Sequence, residues 1–476
     1  MRKLLNQMFQ SLTGQTGTRG AGNARVSHEP RVIPRPDHIV SRKHIPQHAL
    51  KVLYRLNNAG YHSYLVGGGV RDLLLGSEPK DFDVATDARP EEVRKAFSNC
   101  RLIGRRFRLA HVHFGRDIIE VATFRGTGNG DDDRGDVVQD QQGRLLRDNL
   151  YGSMEEDAWR RDFTINGLYY SIDDFSIIDY VGGMEDIERR LIHLIGDPET
   201  RYREDPVRML RAVRFAAKLD FNIEGETAAG IHRFGHLLGE IAPARLFDEC
   251  LKLFMAGYGR TTFELLREYG LFAELFPATD AALKAEGEEG PGLKLLRQAM
   301  DNTDQRVREG RPVTPAFLFG ALLWPPVREG LKQRQAEGLS PGEALQRTAG
   351  REVAAADQRV ALPKRFRIPM REIWQLQPRF ERRRGKRVWH LMGHPRFRAA
   401  YDFLLLRAHA GEVEQELADW WTRVQEVDRG EQESMINAPA PPRNQNESTP
   451  DTAAEDRPRR RRRRGGRRRG PRQAES

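Results

Sequence analysis

The pattern of apolar residues changes once along this 476-residue chain, near residue 196, and that change limits the fold more than any other feature. Upstream, β-like runs (HSYLVGG, KDFDVAT, HVHF, DIIEVATF, LYYSI, FSIIDYV, LIHLIG) alternate with helical stretches such as 46–58 and 90–97, an interleaving of strand and helix periods that marks a mixed architecture. Downstream, strand signals vanish. In PVRMLRAVRFAAKLDF, Val207, Leu210, Val213 and Ala217 follow helical spacing with arginines between them. The expected fold class is α+β: a head with a small mixed sheet at residues 41–195, an all-helical neck at 196–260 and an all-helical body at 261–431. Residues 1–40 and 432–476 are short of apolar side chains. Neither can bury enough apolar surface to offset its ordering entropy, so a disordered lead-in and a disordered basic tail are expected.

Composition excludes several classes. With 38% apolar side chains and 44 glycines the chain has the make-up of an ordinary globular protein. The longest wholly apolar run, 316–324, is less than half the ~20 residues a spanning helix needs. The first residues also lack the apolar stretch of a secretory signal, so no membrane span and a cytoplasmic location are expected. Two cysteines, Cys100 and Cys250, supply neither a zinc cluster nor a disulfide framework. The net charge of +10 resides in the tails, with eleven arginines against four acidic residues from Asp451 onward. Arg459 to Arg464 and Arg467 to Arg469 read as a polycation for RNA phosphates, or as a solubilising tail. Arg379, Arg382, Arg383, Arg384, Lys386 and Arg387, clustered about Phe380 and Trp389, read either as a platform for a single-stranded base or as a solvated helix face with core aromatics.

Chemistry concentrates in the head. Gly67-Gly68-Gly69 turns a strand into a short helix, which brings backbone N–H groups to one point as a phosphate cradle requires. Arg71 and Asp72 extend that edge. In the next strand, Asp81 and Asp83 face one side and Phe82 and Val84 the core, and adjacent carboxylates on one face suit Mg²⁺. Either feature alone is also common in purely structural turns and strand ends. A third carboxylate would come from Glu120, facing the site from an adjacent strand, or from Asp162, at the start of an apolar helix, where a helix cap or an ion pair is the plainer reading. Arg160 and Arg161 would clamp a triphosphate. The polar loop 126–149 reads as a disordered insertion or as a flap over the site.

The motifs LVGGGVRDLLLG, KDFDVAT, EEDAWRRDFTIN and REDPVRMLRAVRFAAKL resemble, in order and spacing, the bacterial class II nucleotidyltransferases of the polymerase beta superfamily, which comprise bacterial poly(A) polymerases and tRNA CCA-adding enzymes. The resemblance implies that the head is a nucleotidyltransferase catalytic domain. It further implies that Gly67, Gly68, Arg71 and Asp72 hold the nucleotide, that Asp81 and Asp83 bind the metals, and that Arg160, Arg161 and Asp162 complete the site. Gly167 departs from the family, where alanine or serine is commoner. Asp205 and Arg208, three apart at a helix start, would read the amine and ring nitrogen of adenine or cytosine equally well, or form an ordinary ion pair. The stretch Leu102-Ile103-Gly104-Arg105-Arg106-Phe107-Arg108-Leu109-Ala110-His111-Val112 resembles the poly(A) polymerase marker. The implied activity is template-independent addition of AMP from ATP, with Mg²⁺, to RNA 3′ ends, with pyrophosphate released. The alternatives are CCA addition to tRNA and an inactive head in an RNA-binding protein. A monomer that acts with RNA-decay machinery and an RNA chaperone is the implied setting.

Overall fold

A computed structural model describes residues 29–104, 108–126 and 150–438, together with the backbone at 138–139 and 145–147. Its strands are β1 (Arg31–Ile33), β2 (Ser63–Val66), β3 (Asp83–Thr86), β4 (Cys100–Ile103), β5 (Leu109–Phe114), β6 (Asp117–Thr123), β7 (Val138–Gln139), β8 (Leu145–Arg147), β9 (Leu168–Ser171), β10 (Ile177–Asp179), β11 (Leu191–Ile192) and β12 (Asn222–Ile223). Eight of them form one mixed sheet in the order β1-β10-β9-β2-β3-β6-β5-β4, and β7 pairs with β8 separately. Every neighbour in the large sheet is antiparallel except β3 and β6, which run parallel after a crossover through the helix Pro90–Ala96 and the β4–β5 hairpin.

The two-residue period sorts the faces of this sheet. Leu65, Val84, Val121 and Tyr170 point into a core closed by Val52, Leu53 and Leu56 of the helix Gln47–Asn58. Val66, Ala85 and Tyr169 lie on the opposite face in a smaller cluster with Phe124 and Ala158. Asp83 and Glu120 share that second face, where the cover is incomplete.

Arg31–Ile33, expected within an unstructured lead-in, forms the edge strand against β10, and Ile33 and Val40 are buried. Their partners, such as Ile177, are too far along the chain for local pattern to reveal. LIHLIG does not join the large sheet. Leu191–Ile192 instead pairs in parallel with Asn222–Ile223, a strand inside the stretch expected to be wholly helical, and so ties head to neck. One continuous core runs from Phe163 and Ile165 through Phe254 and Phe319 to Phe403, so the expected neck–body division at 260 is no core boundary. A separate distal cluster of Leu376, Phe380, Trp421 and Ile436 follows, and the helix Arg429–Asn437 carries order past the expected boundary at 432. Phe380 lies edge-on to Trp421 at 5.0 Å and is fully buried, so it cannot stack on a base, and Arg429 covers the Trp389 ring. Cys100 and Cys250 are buried thiols. No described helix is long and apolar enough to cross a membrane.

Candidate active site

A cleft of about 300 Å³ opens on the exposed face of the sheet, floored by β2, β3 and β6 and walled by arginines. Strand register builds its acidic side. β3 and β6 run parallel with Asp83 directly beside Glu120, and strand alternation turns both toward the cleft. Asp81 precedes β3 and is exposed, as is Asp83. Although one side of Asp83 meets solvent, surrounding protein strips water from its carboxyl. Burial first, then the Glu120 charge, push its pKa up to about 6, with Asp81 adding and Arg161 opposing. His111, opposite Glu120 on β5, brings its Nε2 to 3.4 Å from the Glu120 carboxylate.

The glycine turn links this acidic side to the basic one. Gly67 has φ +74° and ψ −138°, a conformation that disfavours any side chain, and a Cβ there would sit 3.6 Å from an Arg161 guanidinium nitrogen. A Cβ at Gly69 would stand 3.3 Å from the Asp81 carbonyl oxygen. The turn is thus wedged between the arginine wall and the carboxylate strand.

Arg125, Arg160, Arg161 and Arg208 form the wall. The helix Met154–Arg160 positions two of them, starting from a capping box in which Ser153 accepts from the Glu156 N–H and Glu156 returns the bond. One turn before Arg161, Asp157 accepts from its Nη2 at 2.7 Å and from the Tyr169 hydroxyl at 2.6 Å. Arg201 of the helix Pro198–Glu204 donates to the Arg160 carbonyl at 2.8 Å, and it also donates to the Arg161 carbonyl. Arg208 donates to the Arg201 carbonyl and to Glu204, each at 2.7 Å. Burial, then repulsion from Arg125, Arg201 and Arg208 against the pull of Glu204, lower the Arg160 guanidinium to about 10. Crowded, partly dehydrated cations of this kind fit a polyanion.

Several expected members of the site lie elsewhere. Asp162 does not start a helix. It sits before the 3₁₀ turn Thr164–Asn166, accepts from Arg211 Nε at 2.7 Å and from the Phe163 N–H, and is turned toward the neck helix Val207–Leu219. Burial opposes its ionisation, but Arg211 and these hydrogen bonds hold its pKa below the ordinary value. The structure therefore brings Glu120, not Asp162, to Asp83. Arg71 and Asp72 are buried against each other, with Arg71 also donating to Asn166 and Asp72 accepting from Lys218 of the neck. They brace the turn from beneath, and neither faces the cleft. Asp205 and Arg208 do not share one helix: Asp205 ends Pro198–Glu204 and accepts from Arg245, while Arg208 belongs to the next helix. We expect Asp162→Ala to lower stability by about 2 kcal/mol, since it strands a partly buried guanidinium. A urea titration checks this, and unchanged stability with lost activity would return Asp162 to the catalytic group.

Comparison with known proteins bears on this geometry. Residues 63–193 match the family model described as the poly A polymerase head domain, 220–283 the probable RNA and SrmB-binding site of polymerase A, and 337–469 the polymerase A arginine-rich C-terminus. Poly(A) polymerase I of Salmonella typhi is 55% identical over 420 residues, 87% of this chain and 90% of that protein. The chain belongs to the poly(A) polymerase family. A CCA-adding enzyme of Bacillus pumilus is 38% identical over 228 residues, 48% of this chain and 54% of that one. Among solved structures, the Bacillus stearothermophilus CCA-adding enzyme in complex with CTP matches with a TM-score of 0.50 and 26% identity, over 83% of this chain and 89% of that one.

Within this poly(A) polymerase family member, Gly167 has a packing reason. A Cβ there would lie 2.6 Å from Val181 Cγ2, so the valine occupies the space an alanine would need. Among the described residues no three His, Cys, Asp or Glu side chains form a ready metal cage. The donor chemistry nevertheless fits Mg²⁺, which is commonly held by one or two carboxylates plus substrate phosphates. A carboxyl raised by its acidic neighbours is what a cation would relieve. Sequence reasoning missed Asp157, Arg201 and Arg125. The four-residue spacing of Asp157 from Arg161 was a usable signal, whereas Arg201 reaches its carbonyls across 40 residues or more. Arg105, Arg106 and Phe107 of the marker stretch, most of the 126–149 loop and the arginine tail lie outside the described residues.

Proposed function

We propose that this chain is a template-independent adenylyltransferase that adds AMP from ATP to RNA 3′ ends and releases pyrophosphate. The observation that carries it is the pairing of Asp83 with Glu120 in register on parallel strands, across one cleft from Arg125, Arg160, Arg161 and Arg208. In this reading the arginine wall and the Gly67-Gly68 turn hold the ATP polyphosphate and neutralise the departing pyrophosphate. Asp81 and Asp83 hold Mg²⁺, with Glu120 raising the negative field there. When bound, the ion supplies charge neutralisation at the α-phosphate and a lower pKa for the attacking hydroxyl. Arg161, fixed by Asp157 and Tyr169, orients the polyphosphate so that the 3′-oxygen attacks the α-phosphorus in line as the bond to pyrophosphate breaks.

Base choice would fall to Arg208 and Asp205. A guanidinium donating to a ring nitrogen and a carboxylate accepting from an exocyclic amine admit adenine or cytosine and reject guanine and uracil. In the present arrangement Glu204 and Arg245 occupy these groups, so base entry would exchange one partner for another. The 55% identity to poly(A) polymerase I across 90% of that protein favours A-only addition over the CCA-adding alternative. The arginine-rich C-terminal match supports an RNA tether. We also place the protein in the cytoplasm, as a monomer whose products enter RNA decay with decay machinery and an RNA chaperone as partners.

Extension assays with Mg²⁺ and each labelled NTP, on a generic RNA and on a tRNA lacking its CCA end, test the reaction. Long ladders from ATP alone on the generic RNA are expected. Two C residues and one A confined to the tRNA would establish the CCA-adding reading, and no incorporation would leave a binding protein.

A further inference from the structure

On the other face of the head, away from the cleft, the 31–44 segment, the helix Gln47–Asn58 and the β9–β10 edge enclose a basin of about 540 Å³. Strand alternation separates the two places: Tyr169 points to the catalytic face and its neighbour Tyr170 to this one. Arg35, Arg42 and Lys43 supply three cations, and Ser41, Tyr54 and Tyr170 supply hydroxyls.

The hydrogen-bond inventory leaves this basin rich in donors. Tyr54 Oη accepts from Arg42 Nη1 at 3.0 Å, and Ser41 Oγ accepts from the Lys43 N–H at 3.4 Å, so each keeps its own proton to give. Tyr170 is fully buried, yet among the described residues its hydroxyl has no hydrogen-bond partner. A buried O–H left unpaired is costly unless a ligand completes it. Asp174 is the acidic group that the Tyr170 hydroxyl feels, and its carboxylate is bound to the Ser176 N–H and O–H. The missing component is therefore a multi-acceptor anion. The Arg42 guanidinium carbon lies 4.4 Å from the centre of the Phe175 ring, and Tyr54 is 39% exposed, so aromatic surface for a base lies beside the cations. The basin is also larger than a lone phosphate requires.

We propose that this basin is a second nucleotide site, separate from the cleft, that binds the phosphate of one nucleotide unit through Arg35, Arg42, Lys43 and Tyr170, with its base against Tyr54. The unit comes either from a free nucleotide or from the RNA strand, since both present the same group.

Photocrosslinking on the full chain distinguishes the sources. The probes are 8-azido-ATP and a 20-nucleotide RNA carrying 4-thiouridine, with the labelled peptides mapped by mass spectrometry. Label is expected on the peptide containing Tyr54. RNA label there assigns a strand path, and azido-ATP label alone assigns a free nucleotide. The double variant Arg42→Glu/Lys43→Glu should reduce that label about tenfold, with AMP incorporation into a short primer within about twofold of the parent as evidence of an intact fold and cleft. Tyr170→Phe should reduce it about threefold. Because the hydroxyl is without a partner among the described residues, a purely structural role predicts no change in label for Tyr170→Phe, and that result would overturn the proposal. So would the absence of label at the Tyr54 peptide from both probes. Crosslinking needs no turnover, so failure here is distinguishable from failure of the polymerase reading.

Discussion

Asp83→Asn is expected to slow AMP incorporation by about 10³-fold, equivalent to about 4 kcal/mol of transition-state stabilisation, while binding of a non-extendable RNA is retained. Stability should move the other way. Burial and Glu120 raise the folded pKa of Asp83 to about 6 from an ordinary carboxylate value of 3.8. A folded pKa above the unfolded one means that the ionised carboxylate is disfavoured in the native state, and this cost grows as pH rises through that window. In metal-free buffer at pH 7 the asparagine variant should therefore unfold at a higher denaturant concentration than the parent, and the difference should shrink as pH falls below about 6. Rate measurements with Mg²⁺ and melts with a chelator read the two effects separately. Full activity in the variant would remove Asp83 from the metal site. A variant both inactive and less stable would mean that the carboxylate is a structural anchor instead. Strain of this kind, held by the surrounding fold, is expected where a cation will later sit.

Asp157→Ala is expected to cost about 3 kcal/mol of stability, because it leaves the buried Tyr169 hydroxyl and the Arg161 guanidinium without their shared acceptor. Arg161 then loses the pair that fixes it beside the Gly67 turn. The efficiency of ATP use should fall roughly 10- to 100-fold, chiefly through a higher KM for ATP. Asp157→Asn keeps an acceptor for the tyrosine and should recover most of the stability but little of the ATP affinity. Denaturant titration and steady-state kinetics on both variants provide the check, and an asparagine variant that keeps the parent's KM for ATP would show that the charge on Asp157 has no part in positioning Arg161.

Local spacing made one side of the cleft readable. Asp81 and Asp83 alternate with Phe82 and Val84, the glycines precede them by a short helix, and the apolar residues around Glu120 place it on a strand whose face follows from period two. The fold class was readable for the same reason, since a change from period 2 to period 3.6 is written in the order of side chains. Asp162, Arg71 and Asp205 were legible as charged residues in motifs, but not in their direction. The partner of Asp162 lies 49 residues on in Arg211, and that of Asp205 lies 40 residues on in Arg245.

The chain's own order of residues thus determined the sheet-then-helix architecture, the glycine turn and the carboxylate strand, because each depends on neighbours within a few positions. Only the tertiary structure decided which charges face the cleft and which are consumed inside the head–neck joint. The same holds for β1, for the core shared across residue 260 and for the donor-lined basin at Tyr170. The physical reason is common to all of them: a buried charge or apolar surface must find a partner through space, and the partner chosen is the one that packing brings near, at whatever distance along the chain.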